Sequence, residues 1–185
     1  LAHPVALEAM RSGRFARRPA PVAHRPSPVA SPQDQVSTSR LLDLGGRRVA
    51  VHFHGRGHTD GDVVVEVLGS GVTFAGDLIR QDRAPWYGDA FPLQWPATVA
   101  HMLVLGVDAH TWVPGHGRPM STREVRVQAA ELDEVAQVVT EAWYAGVDEA
   151  EAAAELELGP ENSRHAATRG YAELAAGHVD RVPST

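Results

Sequence analysis

Several features are missing from this chain of 185 residues, and most of these absences exclude a class of protein. There is no cysteine, which excludes disulfide scaffolds, thiolate zinc sites, iron–sulfur ligation and cysteine nucleophiles. There is no lysine, so all 17 basic residues are arginines. No apolar run approaches the roughly 18 residues that span a bilayer, and no signal-peptide pattern opens the chain. We therefore expect a cytoplasmic protein without a membrane partner.

The net charge of −6 is unevenly distributed along the chain. Residues 1–59 carry nine arginines against three acids, whereas residues 121–185 carry five arginines against 13 acids. A basic segment attracts polyanions, but no nucleic-acid-reading module accompanies these arginines. The pattern favours a solvated arm, and we expect no nucleic-acid partner.

The length suits one domain with an ordinary hydrophobic core. Residues 1–46 are interpreted as an N-terminal part of that domain, with a short helix over 4–18 and a proline-rich linker after it. Five prolines fall between Pro19 and Pro32, where they remove backbone donors and disfavour helix. Residues 47–185 are expected to hold the strands and the C-terminal helices.

Hydrophobic patterning in residues 47–185 predicts a mixed α/β fold. Strands are predicted over 47–54, 63–67, 72–74 and 111–113, and a helix over 96–105. Residues 80–96 lack periodicity and are expected to form an aromatic-rich surface loop. The capping box of Ser121 and Glu124 begins a long helix that ends at Gly146. Two further helices are predicted, from Asp148 to Gly159 and over 162–176.

Three glycine-flanked polar clusters lie at the ends of predicted strands. They are GHTDGD over 57–62, AGDL over 75–78 and VPGHG over 113–117. Glycine lets the backbone bend sharply, so a neighbouring side chain can point from a strand end towards a shared centre. Imidazole and carboxylate together suit zinc, manganese or iron. One such cluster is more often a turn, but three in this order indicate a metal site.

These three segments resemble the metallo-β-lactamase superfamily, over roughly residues 45–176. The resemblance implies an αββα sandwich with two zinc ions at the edge between its sheets. It implies that His58 binds the first ion, that His116 binds the second and that Asp77 bridges the two. The branches that use a cysteine ligand are disfavoured because the chain has no cysteine.

The same resemblance suggests neighbours for these ligands. Metal-bound imidazoles usually donate their second N–H to an outer partner, and the candidates are Thr59, Asp60 and Asp62. The segment after the bridging aspartate shapes the substrate pocket in the superfamily. That role falls on Trp86, Tyr87 and Trp95, with simple packing under a long loop as the equal alternative.

One departure from the superfamily affects every functional expectation. Residues 1–56 contain no HxHxDH motif, which in the superfamily precedes the GHT motif and supplies four ligands. The opening residues LAHP resemble the segment just after that motif, so we expect a chain that lacks the N-terminal half of the fold. Each ion would then have two protein ligands, one of them shared, where a catalytic zinc normally has three. We expect zinc binding by this chain alone to be weak or absent.

His52 and His54 offer a partial replacement for the missing ligands, because with His58 they form an HxHxxxH cluster. Alternate strand residues face the same side, so both imidazoles could point at one ion. Arg56 lies within this cluster, and a cation beside a metal ion is unfavourable. Structural or hydrogen-bonding roles for His52 and His54 are therefore favoured over ligation.

Two functions follow from these observations. The first is a zinc-dependent hydrolase of a small thioester, lactone, lactam or other ester-like substrate, impaired in this chain alone. The second is a metal-free binding or assembly module that keeps part of the fold. In either case an apolar surface left by a missing half favours association with another copy or with that half.

Overall fold

The computed structural model describes residues 3–5, 8, 36–105 and 110–177. Most of the N-terminal helix and all of the proline-rich linker expected from the sequence lie outside these residues. The described chain contains a six-stranded sheet whose strands lie side by side in sequence order. The strands are β1 (Ser39–Asp43), β2 (Arg48–His52), β3 (Val64–Val67), β4 (Val72–Arg80), β5 (Thr111–His116) and β6 (Met120–Ser121). The predicted α/β class is confirmed.

Four helices follow or connect these strands. They are α1 (Trp95–Leu103), α2 (Thr122–Ala145), α3 (Glu149–Ala154) and α4 (Pro160–Ala175). All neighbouring strands pair antiparallel except β4 and β5, which pair in parallel. A parallel pair needs a crossover connection, and α1 lies in the segment that joins β4 to β5.

The two faces of the sheet differ in what covers them. Side chains of one face, such as Val64, Ala75 and Trp112, are at most 1% exposed and join the helices in one hydrophobic core. The opposite face carries an apolar row set by strand register: Val51 pairs with Val65, Val65 with Phe74 and Phe74 with Val113. Phe74 in this row is 48% exposed. The helices therefore cover one face, and the apolar row lies on the other.

Helix α2 is the element that the sequence predicts best. The apolar residues predicted at helical spacing include Val125, Leu132, Val135 and Val139, which are buried, and Trp143, which is half-buried. At its start the Ser121 hydroxyl accepts from the Glu124 N–H, and the Glu124 carboxylate accepts from the Ser121 N–H at 2.8 Å. At its end Gly146 adopts the left-handed φ of 73°. The predicted capping box and C-terminal glycine are both confirmed.

Glu124→Gln is expected to destabilise the chain at neutral pH and to have no such effect in strong acid. Hydrogen bonds from Arg118 and Ser121 lower the pKa of Glu124 from 4.5 to about 2. A carboxylate with a depressed folded-state pKa stabilises above its unfolded pKa, and that contribution is lost as pH falls through the folded pKa. The urea midpoints of the wild type and the Glu124→Gln variant should therefore differ at pH 7, and they should converge as the pH falls from about 4.5 to about 2. A constant difference across that range would contradict the ionic contribution of Glu124.

Three expectations about the strands and the loop need correction. Strands β1 and β6 are not predicted from the sequence, and β4 and β5 run past their predicted ends at Phe74 and Val113. Segment 80–96 is not a simple surface loop, because Tyr87 and Trp95 are 1% and 0% exposed. Tertiary contacts with the helices bury these aromatic rings, and such contacts leave no periodic signal in the sequence.

Candidate metal centre

The structure brings together His58, Asp77 and His116, from three separate parts of the sheet. His58 lies in the loop after β2, Asp77 lies within β4, and His116 ends β5. The Asp77 Oδ2 atom lies 3.7 Å from His58 Nε2, and its Oδ1 atom lies 3.6 Å from His116 Nε2. One carboxylate therefore faces two imidazoles, one with each oxygen.

A β-bulge accounts for the position of Asp77 inside a strand rather than after it. The register between β4 and β5 shifts on both sides of Gly76, which has a φ of 57°. Bulges of this kind re-aim the next side chain and are common beside active sites. Here the bulge accompanies the turn of Asp77 towards the two imidazoles.

Gly115 belongs to this centre, and its role is not predicted from the sequence. A Cβ atom built on Gly115 would overlap Asp77 Oδ1 and lie 2.9 Å from Cγ and 3.0 Å from the backbone nitrogen of Asp77. The Asp77 carboxylate thus occupies space that any other residue at position 115 would fill. The sequence shows the glycine of the VPGHG segment, but it does not show which side chain packs against that glycine.

Trp95 lies beneath His58 and supports it from the core. The two rings are 5.7 Å apart, and the indole N–H donates to the Leu78 carbonyl at 3.1 Å. Gly57 lies against the same indole, because a Cβ there would be 2.5 Å from Leu78 Cδ2 and 3.0 Å from Trp95 Cδ1. The glycine before His58 therefore lets the loop lie flat on Trp95 and Leu78.

The three aromatic candidates for a substrate pocket occupy different environments. Trp95 and Tyr87 are buried, with their rings 5.4 Å apart in an edge-to-face pair. Both rings pack in the hydrophobic core, and Tyr87 also lines a cavity beside α2. Their part in a substrate pocket stays a prediction. Trp86 is half-buried and packs edge-on against the His165 ring at 5.1 Å.

The residues expected to support the ligands bond chiefly to each other. Asp62 accepts from both the backbone N–H and the hydroxyl of Thr59, each at 2.8 Å. Burial raises the pKa of Asp62, while the Thr59 hydrogen bonds and His58 oppose that shift. Among the described residues, Asp60 makes no hydrogen bond to His58, Asp77 or His116. Thr59 and Asp62 therefore fix the shape of the loop that carries His58.

Two buried atoms of this centre have no hydrogen-bond partner among the described residues, namely His58 Nδ1 and Asp77 Oδ1. Two ligand atoms on one tetrahedral zinc lie about 3.4 Å apart. The two imidazole–carboxylate distances, 3.7 and 3.6 Å, are close to that value. The donor chemistry therefore suits zinc. The number of donors does not, because no group of three or more His, Cys, Asp or Glu residues in the described chain could hold an ion.

His52 and His54 do not supply the missing donors in this arrangement. The His52 Nε2 atom lies 3.4 Å from a Glu66 carboxylate oxygen on β3, and its ring stacks with His54 at 5.5 Å. Burial, followed by the charges of His52 and His101, lowers the pKa of His54 to about 4. The His54 Nε2 atom is buried without a hydrogen-bond partner among the described residues.

Comparisons with known proteins place this centre in context. Residues 2–140 match the family model described as the metallo-beta-lactamase superfamily, so the match begins earlier than residue 45 expected from the motifs. The "Metallo-beta-lactamase type 2" of Bacillus sp. (strain 170) is 28% identical over 90 residues, which are 47% of this chain and 35% of that protein.

Two solved structures share the fold. A metallo-beta-lactamase from Pontibacter korlensis is 25% identical with a TM-score of 0.51, covering 56% of this chain and 50% of that one. The protein VMB-1 is 19% identical with a TM-score of 0.56, covering 73% and 56% of the two chains. The chain thus spans about half the length of these structures and about a third of the curated relative.

No helix in the described ranges has the length and apolarity needed to cross a bilayer. The family match covers well over half of the chain, and the sheet, the helices and the three polar segments agree with it. This chain belongs to the metallo-beta-lactamase superfamily.

Proposed function

We propose that this chain carries one side of a two-zinc hydrolase centre, in which Asp77 is shared between two ions. His58 would hold one ion and His116 the other. The observation that carries the proposal is the pair of contacts made by Asp77, whose two oxygens face the two imidazoles at 3.7 and 3.6 Å. The Asp77 Oδ1 atom is buried and accepts no hydrogen bond among the described residues, which supports the proposal because such an atom is costly unless a ligand satisfies it.

The reaction proposed for the complete protein is hydrolysis of a small thioester, lactone, lactam or other ester-like molecule. Zinc, when bound, lowers the pKa of a coordinated water and polarises the substrate's carbonyl oxygen. The chain's own residues orient the centre. Gly115 leaves space for the Asp77 carboxylate, Trp95 supports the His58 ring, and the Thr59–Asp62 hydrogen bonds hold the loop.

The ligand count leads us to propose that this chain alone is impaired. Each ion would have one imidazole and a share of one carboxylate, which is fewer than the three protein ligands of a catalytic zinc. Further ligands would have to come from outside the described residues. A second copy of the chain, or another polypeptide segment that carries the remaining ligands, would pack on the apolar row where Val65 and Val113 are half-buried and Phe74 is 48% exposed.

The alternative function is a metal-free binding or assembly module. Two observations favour it: no group of three metal-binding residues occurs in the described chain, and Phe74 in the apolar row is 48% exposed. In that case Asp77 would have no part in metal binding, and changing it would leave the metal affinity of the chain unchanged.

Metal titration of the purified chain separates the two functions. We expect the wild type to bind cobalt, as a coloured substitute for zinc, weakly and to lose it on dialysis. Asp77→Ala should weaken this binding at least about tenfold, since even outer-shell changes cost 10–100-fold. Asp89→Ala is the matched control, because Asp89 is exposed. Two ions retained after dialysis would contradict the impairment, and equal affinities of wild type and Asp77→Ala would contradict the metal centre.

A further inference from the structure

A second site candidate is a cavity of about 810 Å³ lined by the segment after β4, one side of α2 and the segment after α3. Its lining includes Arg80, Gln81, Tyr87, Met120, Gln128 and Leu158, and neither His58, Asp77 nor His116 is among its lining residues. The cavity is therefore separate from the metal centre.

The charges that line this cavity are predominantly negative and largely unpaired. Four exposed carboxylates, Glu131, Glu134, Glu155 and Glu157, line it and have no ion-pair or hydrogen-bond partner for their side chains among the described residues. The positive charges of the lining are engaged elsewhere. The Nε atoms of Arg80 and Arg83 lie 3.4 and 3.2 Å from the two carboxylate oxygens of Asp82.

The cavity also has an apolar part and one tyrosine hydroxyl. Apolar side chains of Val127, Val135, Val138 and Leu156 contribute to the lining. Tyr87 is 1% exposed, and its hydroxyl has no hydrogen-bond partner among the described residues. Burial, followed by the charge of Glu131, raises the pKa of Tyr87. The hydroxyl is therefore uncharged at neutral pH and able both to accept and to donate a hydrogen bond.

We propose that this cavity binds an organic cation with an apolar body, such as an arylalkyl ammonium. The ammonium group would lie between the Glu131 carboxylate and the Tyr87 hydroxyl, which accepts one of its N–H bonds. The apolar body would cover Val135, Val138 and Leu156. An inorganic metal ion fits less well, because no group of three acidic or histidine residues in the described chain could hold one.

Titration with 2-phenylethylamine tests this site, with ¹⁵N-resolved NMR shifts locating the binding and 2-phenylethanol as the uncharged probe. We expect the amine to shift the amides of residues 80–87, 131–138 and 155–158, and the alcohol to bind at least about fivefold more weakly. Raising the salt concentration should weaken binding of the amine, because salt screens the exposed charges. Equal affinity for the alcohol, or shifts confined to other residues, would overturn the proposal.

Two variants and one control test the contacts. Tyr87→Phe keeps the buried ring and should lower the affinity for the amine about fivefold, because the hydroxyl is lost. Glu131→Gln should lower the affinity for the amine about threefold. Asp133→Asn removes the same charge from an exposed position on α2 that does not line the cavity, and should leave the affinity unchanged. If Asp133→Asn lowered the affinity for the amine as much as Glu131→Gln, general attraction to an acidic helix would explain the binding instead.

Discussion

Trp95→Ala is expected to lower the free energy of unfolding by about 4 kcal/mol, a large loss for a single substitution. Trp95 is 0% exposed and belongs to the core that the sheet shares with the helices. Its removal leaves a cavity and also removes the hydrogen bond that the indole N–H donates to the Leu78 carbonyl at 3.1 Å. Since domains are stable by only about 5–15 kcal/mol, urea unfolding followed by circular dichroism should show a midpoint far below that of the wild type.

Two comparison variants separate cavity formation from the loss of a tryptophan as such. Trp86→Ala removes the same atoms from a half-buried site and should cost well under half as much. Trp95→Phe keeps most of the ring against Tyr87 and His58 and should be intermediate, because it loses chiefly the hydrogen bond to Leu78. A Trp95→Ala protein as stable as Trp86→Ala would show that Trp95 does not support the centre in the way described.

The features that the sequence predicted correctly are those encoded by near neighbours along the chain. The capping box joins residues three apart, and Gly146 ends α2 through its own left-handed conformation. The apolar spacing of α2 then identifies the face that packs on the sheet. The convergence of His58, Asp77 and His116 was also expected, because the sequence placed each of them in a glycine-flanked segment at the end of a predicted strand.

The features that were missed depend on contacts between distant residues. Strand β4 continues beyond Phe74 because it pairs with β5 through the bulge at Gly76, and this pairing has no signal in local patterning. Tyr87 was expected in a surface loop, yet Asn162, 75 residues away, accepts a hydrogen bond from its backbone N–H. The packing of Gly115 against Asp77 is a contact of the same kind, invisible until both strands are in place.

Gly115→Ala is expected to destabilise the chain by about 2 kcal/mol and to remove any metal binding that depends on Asp77. The added Cβ would overlap the Asp77 carboxylate and lie 3.0 Å from the Asp77 backbone nitrogen, which is fixed in β4. Gly115 is not among the glycines with positive φ, so alanine adds no backbone strain there. The cost is therefore steric and specific to Asp77.

A double-mutant cycle with Asp77→Ala measures that specificity. Asp77→Ala removes the carboxylate that the new Cβ would meet, so Gly115→Ala should cost less than about 1 kcal/mol in that background. The free energies of unfolding of the four proteins, taken from urea curves without metal, give the coupling directly. An equal cost of Gly115→Ala in both backgrounds would mean that the backbone of β4, and not the Asp77 carboxylate, rejects the methyl group. A large coupling would instead mean that the glycine of VPGHG is required by the side chain whose two oxygens face His58 and His116.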